Sequence, residues 1–301
     1  MAVLGFIGLG VMGREMASHL VAAGHTVQAF DLNPKSVEEL RQKGAKAANN
    51  VTEAASGADV VITMLPDTPQ VEDVIRQEGG ILANPPAGGL FIDMSTIAPL
   101  ATRRLSAELA AAGIAMLDAP VSGGPAGAKA AKLAIMVGGA PDAFMRAKPI
   151  LEVMGTTIIH VGESGAGQTV KACNQLICAM NIQAVCEGIA LGRAAGLDVE
   201  KLREVLLGGA ASSWMLQNLG PLILAKDDRA GFRIDLQLKD LRLANELAFE
   251  LGVPLPGTAL ATNLYLEARA HGEGSNGNQA MFRVYDRMTS QQQESAKGAK
   301  Q

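Results

Sequence analysis

The chain has 301 residues, 48% of them apolar, and a formal net charge of −4 at pH 7. That length exceeds one ordinary core and suits two domains of about 150 residues, while the absence of basic runs argues against nucleic acid or a polybasic membrane anchor and for small-molecule partners. The apolar N-terminal stretch is short, broken by glycines and followed by Arg14 and Glu15, unlike a signal peptide or spanning helix, so a cytoplasmic protein whose mature chain begins at or near Met1 is expected.

From Val3 to about Val161, β-rich apolar runs alternate with helical patterns: Val3–Gly8, Thr26–Asp31, Asp59–Leu65, Gly89–Asp93, Ala115–Ala119 and Leu133–Val137. The alternation predicts an α/β domain with a doubly wound, mostly parallel sheet. Breakers close several runs where such a sheet places its ligands: Gly8 and Gly10, Pro66, Ser95 and Thr96, and Ser122 to Gly124.

After Gly165 the periodicity is helical. From Gln168 to about Ala195 only Gly188 and Gly192 interrupt it, which predicts one helix of about 25 to 30 residues, about 40 Å long. Further helices are expected at Val199–Leu207, around Trp214–Leu224, at Asp235–Leu251 and at Thr258–His271, and no β pattern returns. The tail Ser290–Gln301 is polar and lacks apolar periodicity, so it is expected to be disordered. The expected domains are 1–163, a long interdomain helix 164–195, an all-α domain 196–289 and the tail 290–301.

Cys173, Cys178 and Cys186 share one helical segment at spacings that suit neither a zinc site nor a disulfide framework, and the four histidines lack ligand spacing. Reduced thiols and no metal are expected.

Gly8, Gly10 and Gly13, with Leu9, Val11 and Met12 between them, form G-x-G-x-x-G after the first strand and at the start of the helical pattern Val11–Ala23. In that context Gly8 permits the tight turn, Gly10 admits a pyrophosphate, and Gly13 lets helix and strand approach. Asp31 ends the second strand eighteen residues after Gly13, where a ribose-binding carboxylate belongs. The alternative is plain turn glycines in a flavodoxin-like sheet; strand, helix and acid together favour a dinucleotide. Asp31 would repel a 2′-phosphate and neither Leu32 nor Asn33 supplies a cation, so NAD is expected over NADP. Arg14 leaves a route for phosphate recognition open.

Dinucleotide binding alone does not make an enzyme. Lys171 lies about one turn inside the long helix, with Asn174 and Gln175 at i+3 and i+4. Aldehyde reduction needs a proton on oxygen as hydride reaches carbon, and a lysine with a lowered pKa can supply it. On residue type alone, Lys171 reads equally as a solvated helix lysine.

The segments FIGLGVMG (Phe6 to Gly13), DAPVSGG (Asp118 to Gly124), GAGQTVKACN (Gly165 to Asn174) and Lys239-Asp240 within RIDLQLKDL together resemble the β-hydroxyacid dehydrogenase family. The resemblance runs from Val3 to about Met288. It implies an N-terminal Rossmann domain, a long interdomain helix and an all-helical C-terminal domain that builds a homodimer or homotetramer. It implies that Lys171 is the acid/base, that Ser122, Gly123 and Gly124 hold the substrate carboxylate, that Asn174 and Gln175 contact substrate, and that Leu65, Pro66, Thr96 and Lys239 line the cofactor. On residues alone, Ser122 to Gly124 could be an anion nest or a simple turn, and Lys239-Asp240 a surface pair.

Within that family, MLPDTPQVEDVI, DMSTIAPLA and GFRIDLQLKDL are similar to tartronate semialdehyde (2-hydroxy-3-oxopropionate) reductases, which implies reduction of that aldehyde to D-glycerate. Trp214, Met215 and Leu216 leave open a methyl-bearing substrate such as 3-hydroxyisobutyrate, or serine or another 3-hydroxy acid. A non-catalytic dinucleotide-binding module is the alternative from another class; the presence of Lys171 argues against it.

Overall fold

A computed structural model describes residues 1–289, so the expectation for the tail lies outside the described residues. The contact pattern divides the chain into two compact units, the first Met1–Lys171 and the second beginning at Ala172.

The first unit holds a nine-stranded sheet. Its strands are β1 (Val3–Ile7), β2 (Thr26–Phe30), β3 (Lys46–Ala47), β4 (Val60–Thr63), β5 (Leu90–Asp93), β6 (Ala115–Asp118), β7 (Val121–Ser122), β8 (Leu133–Gly138) and β9 (Gly155–Gly162). Their order is β3-β2-β1-β4-β5-β6-β8-β7, with β9 beside β8. Pairing is parallel from β3 through β6 and between β8 and β9, and antiparallel where β8 meets β6 and β7.

Alternation along the central strands explains the two covered faces. Leu4, Phe6, Val60, Ile62, Leu90 and Ile92 enter one apolar cluster, while Ile7, Val61 and Phe91 enter another. Helix Gly13–Ala22 contributes Met16, Ala17 and Leu20 to the first cluster, and helices Thr68–Arg76 and Pro99–Ala111 contribute Val71, Ile75, Leu105 and Leu109 to the second. Helix starts follow local chemistry: Asn33, Asn50 and Asp67 cap backbone N–H groups, and prolines open helices Pro34–Arg41, Pro99–Ala111 and Pro141–Leu151.

Helix Ala166–Ala194 begins in the first unit and continues into the second. By length and composition alone it could cross a membrane. Its Ala179, Ile182, Cys186 and Ile189, at helical spacing, instead pack with Leu241, Ala261, Tyr265 and Phe282 in the core of the second unit. Gly192 does not break it; a Cβ there would meet the Leu202 side chain at 2.3 Å, so the glycine admits helix Val199–Leu207. The remaining elements are helices Ile234–Leu251 and Pro256–Ala270, a 3₁₀ turn Asn278–Met281 and helical residues 282–289.

Two expectations need correction. The segment Trp214–Leu224 is two short helices, Trp214–Asn218 and Gly220–Leu224, because Pro221 has no N–H with which to continue the first. Strands β3, β7 and β9 were not among the expected runs: the first two have only two residues each, and β9 carries no continuous apolar burial.

Candidate active site

The first cluster of expected site residues lies at the carboxyl ends of β1 and β2. Gly8 has φ +97°, and a Cβ there would meet Met64 O at 2.4 Å. At Gly13 a Cβ would lie 2.0 Å from Gly8 O, so only glycine lets the helix start this close to the strand. At Gly10, by contrast, a Cβ would meet nothing within 4 Å, leaving the approach to the loop backbone open. Arg14 N–H bonds Gly10 O at 3.1 Å, and no side chain caps the helix that opens at Gly13, so its N-terminal end is suited to an anion. Leu9 is buried, Met12 packs against the same core and Val11 is exposed, so these three offer backbone rather than side chains.

Asp31 does more than its position suggested. Its Oδ2 accepts from Leu9 N at 2.6 Å and its Oδ1 from Asn33 N at 2.7 Å, tying the glycine loop to the end of β2. Each oxygen keeps a further lone pair for a ribose hydroxyl. Arg14 is engaged by Glu39 from helix Pro34–Arg41. These residues fit a dinucleotide with an unphosphorylated ribose.

At the ends of β4 and β5 a buried polar chain shapes the next loops. Thr63 Oγ1 donates to Asp93 Oδ1 at 2.8 Å, the same oxygen accepts from Ser95 N at 3.1 Å, and Ser95 Oγ accepts from Leu65 N at 2.8 Å. Leu65 is half-buried and Pro66 exposed. Gln168 brackets Thr96: its Nε2 donates to Ser95 O at 2.8 Å and its Oε1 accepts from Ile97 N at 3.2 Å.

Ser122 ends β7, with Gly123 at φ +127° and Gly124 at φ +59° leading into the short helix Gly124–Lys129. A Cβ at Gly124 would meet open space, so its conformation rather than crowding favours glycine. The cofactor-loop helix holds this segment, since His19 Nε2 donates to Ala128 O and Lys129 O at 3.0 and 3.1 Å.

Asp118, wholly buried at the end of β6, accepts from Gly165 N at 2.8 Å and Gln168 N at 2.9 Å. Burial pushes its carboxyl up to about 6 against the pull of those N–H groups, with Asp93 adding to the rise. Lys171, three residues beyond Gln168, is only 6% exposed.

In the second unit Gln175 is buried, its Nε2 donating to Asp240 Oδ2 at 2.6 Å and its carbonyl accepting from Gln237 Nε2 at 3.1 Å. Lys239 Nζ lies 2.9 Å from Asp240 Oδ1, with both side chains largely buried rather than forming a surface pair. Asn174 Oδ1 is buried and has no hydrogen-bond partner among the described residues. Trp214 is exposed, whereas Met215 and Leu216 belong to the helical core.

The fold thus gathers Gly8 to Gly13, Asp31, Leu65, Pro66 and Thr96 at the ends of neighbouring parallel strands, where such sheets bind ligands. Lys239 lies in the second unit, apart from that group in the chain's division. Asp93, Asp118 and Gln168 were not singled out in the sequence, and Ser95 only as a breaker at a strand end. Asp118 and Gln168 stand inside the quoted motifs, but nothing local marks their partners. Among the described residues no group of three His, Cys, Asp or Glu is placed to hold a metal.

Residues 3–162 match the family described as the NAD binding domain of 6-phosphogluconate dehydrogenase. Residues 165–285 match that described as NAD-binding of NADP-dependent 3-hydroxyisobutyrate dehydrogenase. The chain is 40% identical over 287 residues to 2-(hydroxymethyl)glutarate dehydrogenase of Eubacterium barkeri, covering 95% of each. It is 39% identical over 285 residues to 2-hydroxy-3-oxopropionate reductase of Escherichia coli strain K12, covering 95% of this chain and 97% of that one. The solved structure of Mycobacterium tuberculosis 3-hydroxyisobutyrate dehydrogenase with L-serine superposes with a TM-score of 0.87 at 36% identity, covering 94% of this chain and 99% of that one.

Proposed function

Because the chain belongs to the β-hydroxyacid dehydrogenase family and is an NAD-dependent oxidoreductase acting on hydroxyl groups, we propose that it reduces tartronate semialdehyde to D-glycerate. Lys171 is the proton donor in this reading. What carries it is the burial of Lys171: residue type alone would place a lysine on a solvated face, and this one is 6% exposed.

The nicotinamide, when bound, supplies the hydride. Lys171 in its ammonium form gives a proton to the aldehyde oxygen and, in the reverse direction, takes it from the alcohol. Ser122 and the N–H groups of Gly123 and Gly124 hold the carboxylate. The glycine loop with Asp31, Leu65, Pro66 and Thr96 orients the cofactor, and the family motif around Lys239 is what assigns that residue to the cofactor. Asn174 Oδ1, a buried acceptor, suits a substrate with a hydroxyl next to the carboxylate better than one with a methyl group there. Gln175, whose amide is engaged by Asp240, supports that turn of helix.

We assign 1–163 to cofactor binding, 164–195 to the helix bearing Lys171 and 196–289 to substrate and subunit contacts. Exposed Ile177, Leu191, Phe249 and Leu260 support a homodimer or homotetramer, and three free thiols suit the cytoplasm.

The test is a steady-state screen of tartronate semialdehyde, methylmalonate semialdehyde, 3-hydroxyisobutyrate, 2-(hydroxymethyl)glutarate, D-glycerate and L-serine with both nicotinamide cofactors. Tartronate semialdehyde with NADH is expected to give the highest kcat/KM. A kcat/KM ten times higher with any other acid would overturn the substrate assignment.

A further inference from the structure

We propose that Asp118 is a positioning residue for Lys171, its buried carboxylate fixing the first turn of the helix on which Lys171 stands. The inference rests on the reading of Lys171 as the proton donor.

Three observations carry it. The two carboxylate oxygens divide their work, Oδ1 taking the N–H of Gly165 at 2.8 Å and Oδ2 that of Gln168 at 2.9 Å, so the end of β6 caps a helix that begins at Ala166. The cradle is shaped for that carboxylate: a Cβ on Gly138 would come within 2.6 Å of Oδ1, and one on Gly167 within 2.8 Å of Oδ2. Glycine on both sides is what lets strand and helix close around it. Gln168, whose N–H is held by Asp118, also grips both sides of Thr96 through Ser95 O and Ile97 N. The same turn is thereby fixed to the loop proposed to line the cofactor, and Lys171 follows at i+3 on a rigid helix.

A proton donor must stand within hydrogen-bond reach of the reacting oxygen, and displacement by about 1 Å can cost about 100-fold in rate. Asp118 sets that placement without touching substrate. Protonation would turn one of its oxygens into a hydroxyl donor opposing a backbone N–H, releasing one of the two contacts. With burial raising the carboxyl to about 6, this release belongs to mildly acidic solution. Asp93 on β5 is the ionisable neighbour that acts on it; the residues facing it from β8 and from the helix, Gly138, Gly165, Gly167 and Gln168, do not titrate. The contacts are complete above that pH and are lost as pH falls through it.

The test compares the purified full-length wild type, Asp118→Asn and Lys171→Ala, measuring kcat and KM from pH 5 to 9, NADH affinity by fluorescence titration and folding by circular dichroism. For Asp118→Asn we expect kcat at pH 8 to fall about 10- to 100-fold, NADH affinity to change less than about twofold, and the acid limb of the kcat profile near pH 6 to disappear. An Asp118→Asn enzyme with wild-type kcat and an unchanged acid limb, beside an inactive Lys171→Ala, overturns the positioning role alone. A Lys171→Ala enzyme with undiminished kcat overturns the Lys171 reading and this inference with it. Should Asp118→Asn not fold, the wild-type profile decides: a kcat limb near pH 6 that NADH affinity does not share is expected, and a flat profile overturns the proposal.

Discussion

At the strand ends of the first unit buried side chains mostly bind backbone, as Ser95 does Leu65 N, Gln168 the Ser95–Ile97 loop, and Asp118 the helix start. In the second unit buried side chains mostly bind one another: Gln175 with Asp240, Lys239 with Asp240, Asn278 with Gln237. The difference follows from how each kind of element satisfies its own backbone. Helices consume their N–H and C=O groups internally, whereas loops leaving a parallel sheet expose groups that need partners, and those partners fix the path of the loop. Polar substitutions should therefore shift loops and helix starts in one unit and lower stability in the other.

The largest effect on the cofactor site should come from Gly13→Ala. Its Cβ would fall 2.0 Å from Gly8 O, which forces helix and strand apart at the loop; NADH affinity is expected to drop about 100-fold or more, if the chain folds, read by fluorescence titration. Unchanged affinity would remove the backbone argument for the first unit. Next, Asp240→Ala takes the carboxylate from Lys239 and Gln175 in a buried setting and should cost about 3–5 kcal/mol in urea unfolding. A stability within error of wild type would mean that side-chain pairs matter no more in the second unit than at an exposed surface. The smallest effect is at a solvated pair: Glu39→Gln should leave Arg14 with only the more distant Glu15, at 4.0 Å, and raise kcat/KM with NADPH about threefold while leaving NADH unaffected, matching the weakness of exposed ion pairs. A fall with NADPH would show that Glu39 does not restrain Arg14.

Much of the first unit was legible because its signals are local. Gly8 and Gly13 follow a strand and open a helix, and Asp31 ends the next strand; each feature is visible within a few residues. Helix Val199–Leu207 has the bounds its periodicity gave, helped by Asp198, whose side chain caps Glu200 and Lys201. In the segment Trp214–Leu224 apolar spacing continues through Gly220 and Pro221 while hydrogen bonding does not, so periodicity alone does not mark the boundary between its two helices. Lys171 could be picked out only through the motif around it, since a buried and a solvated helix lysine look alike in one dimension. Lys239 was open to reading as a surface residue; its side chain is mostly buried against Asp240.

By itself, then, the order of residues determined which stretches alternate with period two or repeat with the turn of a helix, where the tight glycine turns fall, and which acid could meet a ribose. These depend on sterics and hydrogen bonds within a few residues of one another. Only the tertiary structure decided that Asp118 would cap a helix through N–H groups 47 and 50 residues further along the chain, that Gly138 and Gly167 would face the same carboxylate, and that Lys171 would be buried. The environment of a buried charge is set by whichever distant backbone the fold brings within about 3 Å of it.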